Sequence, residues 1–209
     1  MFYEPDKRDR SVLPHDPFKA LISPRPVGWI STRGLNGEIN LAPYSFFNAF
    51  SGAPPIVGFC SEGFKDSAFL AKESGEFVWN LASFDLRDQM NATSAPLPRG
   101  SSEFVHAGLA MADSVLVKAP RVAASPASLE CKVTQVVRLD ALGGAQTDRY
   151  LVLGQVIGVH LNEAYLRDGI MDITLMKPLA RCGYQDYAVI DAVFALKRPA
   201  GAGNRAAGG

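Results

Sequence analysis

Hydrophobic positions along this chain come in short runs, and where they repeat the period is two. Leu129, Cys131, Val133, Val137 and Leu139 alternate with Glu130, Lys132, Thr134, Arg138 and Asp140, the pattern of a strand with one face buried. After a Gly143-Gly144 loop, residues 150–161 are almost continuously apolar, which predicts a strand covered on both faces. Earlier in the chain a proline-studded lead-in (14–26) gives way to a strand over 27–31. Asn36-Gly37 then predicts a tight hairpin, because both residues accept positive φ angles, with a returning strand over 39–42. Pro54-Pro55 precedes a short apolar strand (56–60), and 76–82 reads as another.

Two helices interrupt this series. Asp66 or Ser67 is expected to cap the first, which runs through Ser74 to a left-handed stop at Gly75. Ser83 or Asp85 is expected to cap the second, ending near Ala92. Residues 93–100 hold two prolines and a glycine and read as a loop. Many short strands with few short helices make a closed or nearly closed β-barrel the economical architecture. At 209 residues the chain suggests one domain over 1–199. Residues 200–209, mainly Gly and Ala, are expected to form a disordered tail. The string Gly201-Ala-Gly203-Asn-Arg-Ala206 matches a dinucleotide fingerprint in letters only, since no strand-turn-helix pattern surrounds it.

Composition narrows the function. The 47% hydrophobic content supports a sizeable core, and 21 basic residues cancel 21 acidic ones without a charge run. That balance argues against a nucleic-acid footprint or a polybasic membrane patch. No apolar run approaches the ~20 residues of a membrane-spanning helix, and Met1 to Arg10 lacks the apolar stretch of a signal peptide. Cys60, Cys131 and Cys182 are scattered without C-x-x-C spacing, which suits reduced thiols better than a disulfide framework or a zinc site. The expected location is cytoplasmic.

Three segments carry candidate chemistry. Trp29-Ile30-Ser31-Thr32 ends a strand with two hydroxyls. Asn40 to Asn48 mixes aromatic faces with small polar groups, and Pro43 keeps its neighbours extended. Lys65-Asp66-Ser67 opens a predicted helix with a cation and a hydroxyl. Together they suit a flat aromatic ligand with a phosphate end. Plainer readings stand beside this one: Ser31 and Thr32 as turn residues, Phe46, Phe47 and Phe50 as core, and Lys65-Asp66-Ser67 as an ordinary solvated cap. His160 follows a buried strand and reads as a structural hydrogen-bonding residue; His15 and His106 read as structural or exposed. No Ser-His-Asp arrangement is visible.

The ordered segments Ser23 to Thr32, Asn40 to Asn48, Pro54-Pro55, Lys65-Asp66-Ser67 and Gly75-Glu76-Phe77-Val78-Trp79-Asn80 resemble the flavin reductase-like FMN-binding family. So do Ala107-Gly108-Leu109, Leu129-Glu130-Cys131, Gly154 to His160 and Leu179 to Tyr184. This family includes flavoredoxin-like proteins and the reductase partners of two-component monooxygenases. The resemblance implies a mostly β, six-stranded split barrel with a few short peripheral helices, forming a homodimer with FMN near the subunit interface. It would place Trp29, Ile30, Ser31, Thr32, Ala42, Pro43, Tyr44, Ser45 and Phe46 along the flavin, and Lys65, Asp66 and Ser67 at its phosphate. Ser67 stands where the family commonly has threonine, and Cys182 where a glycine-rich stretch is usual.

The activity implied is hydride transfer from NADH or NADPH to flavin, then electron delivery to an unknown acceptor such as a monooxygenase partner. The cofactor does the chemistry, so no catalytic side chain is expected. A non-catalytic electron carrier or flavin store is the alternative. An oxidase of the pyridoxine phosphate oxidase kind, on a similar barrel, fits the second and third segments less well.

Overall fold

The computed structural model describes residues 1–98 and 100–199. The expected tail at 200–209 lies outside them. The main sheet contains β1 (Gly28–Arg33), β2 (Ile39–Tyr44), β3 (Phe47–Gly52), β4 (Pro55–Glu62), β5 (Glu76–Asn80), β6 (Ala127–Asp140) and β7 (Gln146–Leu161). Its order is β2-β1-β5-β6-β7-β4-β3, with every pairing antiparallel.

The two outer strands, β2 and β3, are consecutive in sequence and separated only by Ser45 and Phe46. A flat sheet would hold its two edges far apart, so this connection obliges the sheet to curl until they approach. At the seam the backbone N–H of Cys60 donates to the carbonyl of Phe46 at 2.8 Å, and the rings of Tyr44 and Phe59 lie 4.8 Å apart. Counted as one bent strand, β2 and β3 make the sheet the expected six-stranded split barrel.

Ile30, Phe59, Phe77, Cys131 and Val152 fill the barrel, and α1 (Asp66–Ser74) lays Ala68 and Ala71 against them. Gly75 ends α1 at φ 72°, as its sequence position requires. The N-cap is Lys65, in extended conformation and without a side-chain capping bond. The cap expected from Asp66 or Ser67 is therefore corrected: Asp66 begins the helix, and the Ser67 hydroxyl bonds elsewhere. Outside the barrel, Trp29 and Leu41 meet Leu86, Met90 and Phe104 in a second core. These come from a 3₁₀ turn (Phe84–Leu86), α2 (Arg87–Ala92) and a short helix (Glu103–His106).

Two strand expectations need correction. Glu130, assigned to a solvent face, is fully buried. The segment 113–122 crosses that face as a strap, and the Glu130 carboxylate accepts the N–H groups of Val115, Leu116 and Val117 at 2.7, 2.6 and 3.0 Å. Glu76 receives Lys118 and Ala119 in the same way, and Asn80 receives Val122. These polar side chains are buried because the strap's backbone requires acceptors there. The second correction concerns 150–161, expected to be covered on both faces. The last β7 residue paired with β4 is Gln155. Beyond it β7 has a free edge, and Ile157, Val159 and Leu161 are exposed.

Candidate functional site

Strand β2 is an edge of the sheet, and the cleft of interest runs along it. Asn40, Ala42, Pro43 and Tyr44 form one wall, Lys65, Asp66 and Ser67 at the start of α1 a second, and Thr93 to Leu97 with Glu103 a third. The enclosed volume is about 380 Å³, within the range of small-molecule sites.

The walls are tied to one another through Asn40. Its amide donates to Glu103 Oε1 at 3.1 Å, and its side-chain oxygen accepts the Ser67 hydroxyl at 2.5 Å. The second Glu103 oxygen accepts the backbone N–H of Leu41 at 3.0 Å, a group that β2 would otherwise leave open at its edge. By the two-residue alternation of a strand, residue 43 turns its backbone to the same edge. Proline there presents a carbonyl and no N–H. Glu103 was not among the residues the sequence suggested. The one clue is a glutamate opening a helical turn after a loop, and that pattern is common to helix starts of every kind.

Six of the candidate residues, Ala42, Pro43, Tyr44, Lys65, Asp66 and Ser67, meet around this cleft. The other six do not line it. Trp29, Ile30, Ser31 and Thr32 are fully buried, because β1 lies inside the sheet with both faces covered. The Trp29 indole donates to the Thr93 hydroxyl at 2.9 Å, which pins the loop forming the third wall. Ser31 donates to the carbonyl of Pro120, in the strap. Ser45 and Phe46 lie at the barrel seam, with the exposed Phe46 ring beneath Lys19 and Arg25. Phe47 is core, stacked on Trp79 at 5.8 Å; Phe50 is exposed.

Chemically the cleft offers a cation at Lys65, a nine-residue helix start without a side-chain cap, and a phenol. Removal from water pushes the Tyr44 hydroxyl above the ordinary phenol value. The charges of Asp66 and Glu103 act in the same direction, against hydrogen bonds with Ser67 and Ser61. Tyr44 is therefore neutral at physiological pH, with its hydroxyl engaged by these serines. His160 is outside the cleft, its Nε2 2.5 Å from Glu130 Oε1. Burial alone would raise the Glu130 pKa, but His160 and the three strap N–H groups outweigh it and hold the carboxyl below its ordinary value.

The flavin reductase like domain family matches residues 21–177 of this chain, a span that includes every wall of the cleft. The chain belongs to the flavin reductase-like family. Among its relatives, an uncharacterized protein of Halalkalibacterium halodurans is 32% identical over 189 residues, covering 88% of this chain and 90% of its own. The uncharacterized protein YwrF of Bacillus subtilis is 31% identical over 193 residues, covering 88% and 94%. The solved structure of nitrilotriacetate monooxygenase component B from Bacillus cereus superposes with a TM-score of 0.85 at 26% identity. That superposition covers 94% of this chain and 98% of the other. The flavoredoxin of Desulfovibrio vulgaris shares the fold at 0.74 and 18% identity, covering 83% and 90%. In this flavin reductase-like chain the split barrel and the β2 cleft are thus parts of one matched unit.

Proposed function

We propose that this chain binds FMN in the β2 cleft and works as an oxidoreductase that accepts a hydride from NADH or NADPH. The observation that carries the reading is the meeting of Lys65, the α1 N-terminus and the open edge of β2 around one cleft, in a chain of the flavin reductase-like family. A phosphate fits the helix start, where backbone N–H groups and an ammonium combine. The Pro43 carbonyl suits the hydrogen-bonding edge of an isoalloxazine. The flavin supplies the two-electron chemistry when bound. The protein's residues bind and orient: Glu103 and Asn40 fix the β2 edge, and Trp29 holds Thr93 and its loop in place.

Anaerobic mixing of the purified, FMN-loaded protein with each nicotinamide tests this directly. Bleaching of the flavin absorbance by NADH or NADPH supports the oxidoreductase. Tight FMN binding with no bleaching by either would favour the alternative, a carrier or store charged by another protein.

The active form in this reading is a homodimer. Val159 and Leu161 stand uncovered beside the free β7 edge, and an exposed apolar strand edge is a surface that natural proteins cover. Electron delivery to a separate acceptor such as a monooxygenase belongs to the same proposal, as does a cytoplasmic location. Among the described residues no helix is long and apolar enough to cross a membrane.

A further inference from the structure

A second cleft, of about 610 Å³, opens at the far end of α1. It is bounded by Arg33 to Gly37 of the β1–β2 turn, by Ser74, and by Glu76, Lys118 and Lys132. Three cations come here from distant parts of the chain: Arg33 from the end of β1, Lys132 from β6 and Lys118 from the strap. One carboxylate lines the cleft, and it is already engaged. Glu76 is buried, accepts the N–H groups of Lys118 and Ala119, and pairs with the Lys132 ammonium at 2.7 Å. Arg33 and the Lys118 ammonium have no carboxylate partner among the described residues. Glu38, in the same turn one residue before β2, packs its carboxylate against Gly34 with one oxygen buried and without a hydrogen-bond partner, and it lines the adjoining cleft. Arg33 and Lys118 thus line this cleft as two exposed cations that no carboxylate pairs among the described residues.

We propose that this cleft is a second anion site, separate from the flavin cleft, that takes an organic diphosphate of the nucleoside diphosphate class. Two unneutralised cations across one opening match a ligand with at least two negative charges. The hairpin tip supplies the organic half of the site: Leu35 is 71% exposed and stands beside the Asn36 amide, an apolar face next to a donor and an acceptor. Gly37, at φ +93°, carries no side chain to fill the space near Arg33; a Cβ built there would lie 3.9 Å from Arg33 Nη2. The C-terminal end of α1 carries partial negative charge, so the attraction comes from Arg33 and Lys118 and not from the helix. Along α1, Asp66 at the flavin cleft and Ser74 at this one are separated by a rise of about 12 Å. The two sites therefore do not overlap.

Calorimetric titration of the FMN-loaded protein with inorganic pyrophosphate and with ADP tests the proposal. Both should bind, ADP more tightly, with affinity falling steeply as salt is added. Arg33→Ala and Lys118→Ala should each weaken both probes by about tenfold or more while FMN affinity stays at its wild-type value. Leu35→Ala should weaken ADP and leave pyrophosphate unchanged. Absence of binding by either probe to the wild-type protein overturns the proposal, as does wild-type affinity in the Arg33→Ala, Lys118→Ala double variant. Displacement of FMN by pyrophosphate would also overturn it, by placing the anion at Lys65.

Discussion

The hydroxyl of Ser67 donates to the side-chain oxygen of Asn40 at 2.5 Å, tying the first turn of α1 to the edge strand β2. One side chain thus sets the distance between the strand that would meet the flavin ring and the helix start that would meet its phosphate. With its proton committed to Asn40, Ser67 is left a positioning role, and direct anion contact falls to Lys65 and the backbone N–H groups.

Lys65→Ala should therefore weaken FMN by one charge-assisted contact, roughly 1.5–3 kcal/mol, or on the order of tenfold to a hundredfold. Riboflavin, which has no phosphate, should bind the variant as it binds the wild type. Ser67→Ala should cost less. Parallel fluorescence titrations with both flavins check this, and an equal loss for both in Lys65→Ala would mean that the lysine supports the fold and not the phosphate.

Glu103→Ala should destabilise the protein and the cleft together. It leaves the buried Leu41 N–H and the Asn40 amide without their acceptor, about 1–3 kcal/mol for each unsatisfied group. Urea denaturation should report the loss of stability and flavin titration the weakened binding. Native stability in this variant would show that water replaces the carboxylate and that Glu103 does not fix the β2 edge.

The strap should give the protein an acid-sensitive component of stability. Glu130 is held below its ordinary value of 4.5, so the folded state binds its proton less readily than the unfolded state. The sign follows: this stabilisation is fully present above the unfolded pKa and is lost as pH falls through the lower folded value. Glu130→Gln should cost about 3 kcal/mol at pH 7, and the gap from wild type should shrink below about pH 4.5. Urea melts between pH 7 and pH 3 measure it; a gap that stays constant across this range would refute the assignment.

Cys131 should resist alkylation in the native state. Burial pushes its thiol up to about 12, with the Glu130 charge adding to the effect, and the thiolate is the reactive form. Mass spectrometry after iodoacetamide treatment at pH 8 should find Cys131 unmodified until denaturant is added. Its rapid labelling in the folded protein would contradict the buried placement.

Val159→Asp should convert the proposed dimer to a monomer, since it puts a charge on the apolar strip beside the free β7 edge. Sedimentation equilibrium should then return one chain mass, 22.5 kDa. A wild-type protein that already sediments at that mass with FMN bound would defeat the dimer.

Local chemistry was enough to place most of the elements. Asn36-Gly37 fixes its hairpin and Gly75 its helix end, because the conformations those positions need are open to few residues. The order of segments from Ser23 to Tyr184 carries the family, and with it the barrel. Tertiary structure decided what faces what. Trp29 to Thr32 read as ligand-lining from two hydroxyls at a strand end and from the family resemblance, yet β1 is an interior strand and both its faces are covered. Glu130 reads as solvated from its alternation, yet a strap from fifteen residues upstream brings backbone donors onto that face. Val159 and Leu161 read as core, yet pairing with the neighbouring strand β4 stops at Gln155. Glu103 reaches Asn40 only because the barrel folds a helix 63 residues away onto the β2 edge. Periodicity reports which side of a strand a residue occupies. What covers that side depends on contacts between segments far apart in the chain, and those are set when the sheet closes.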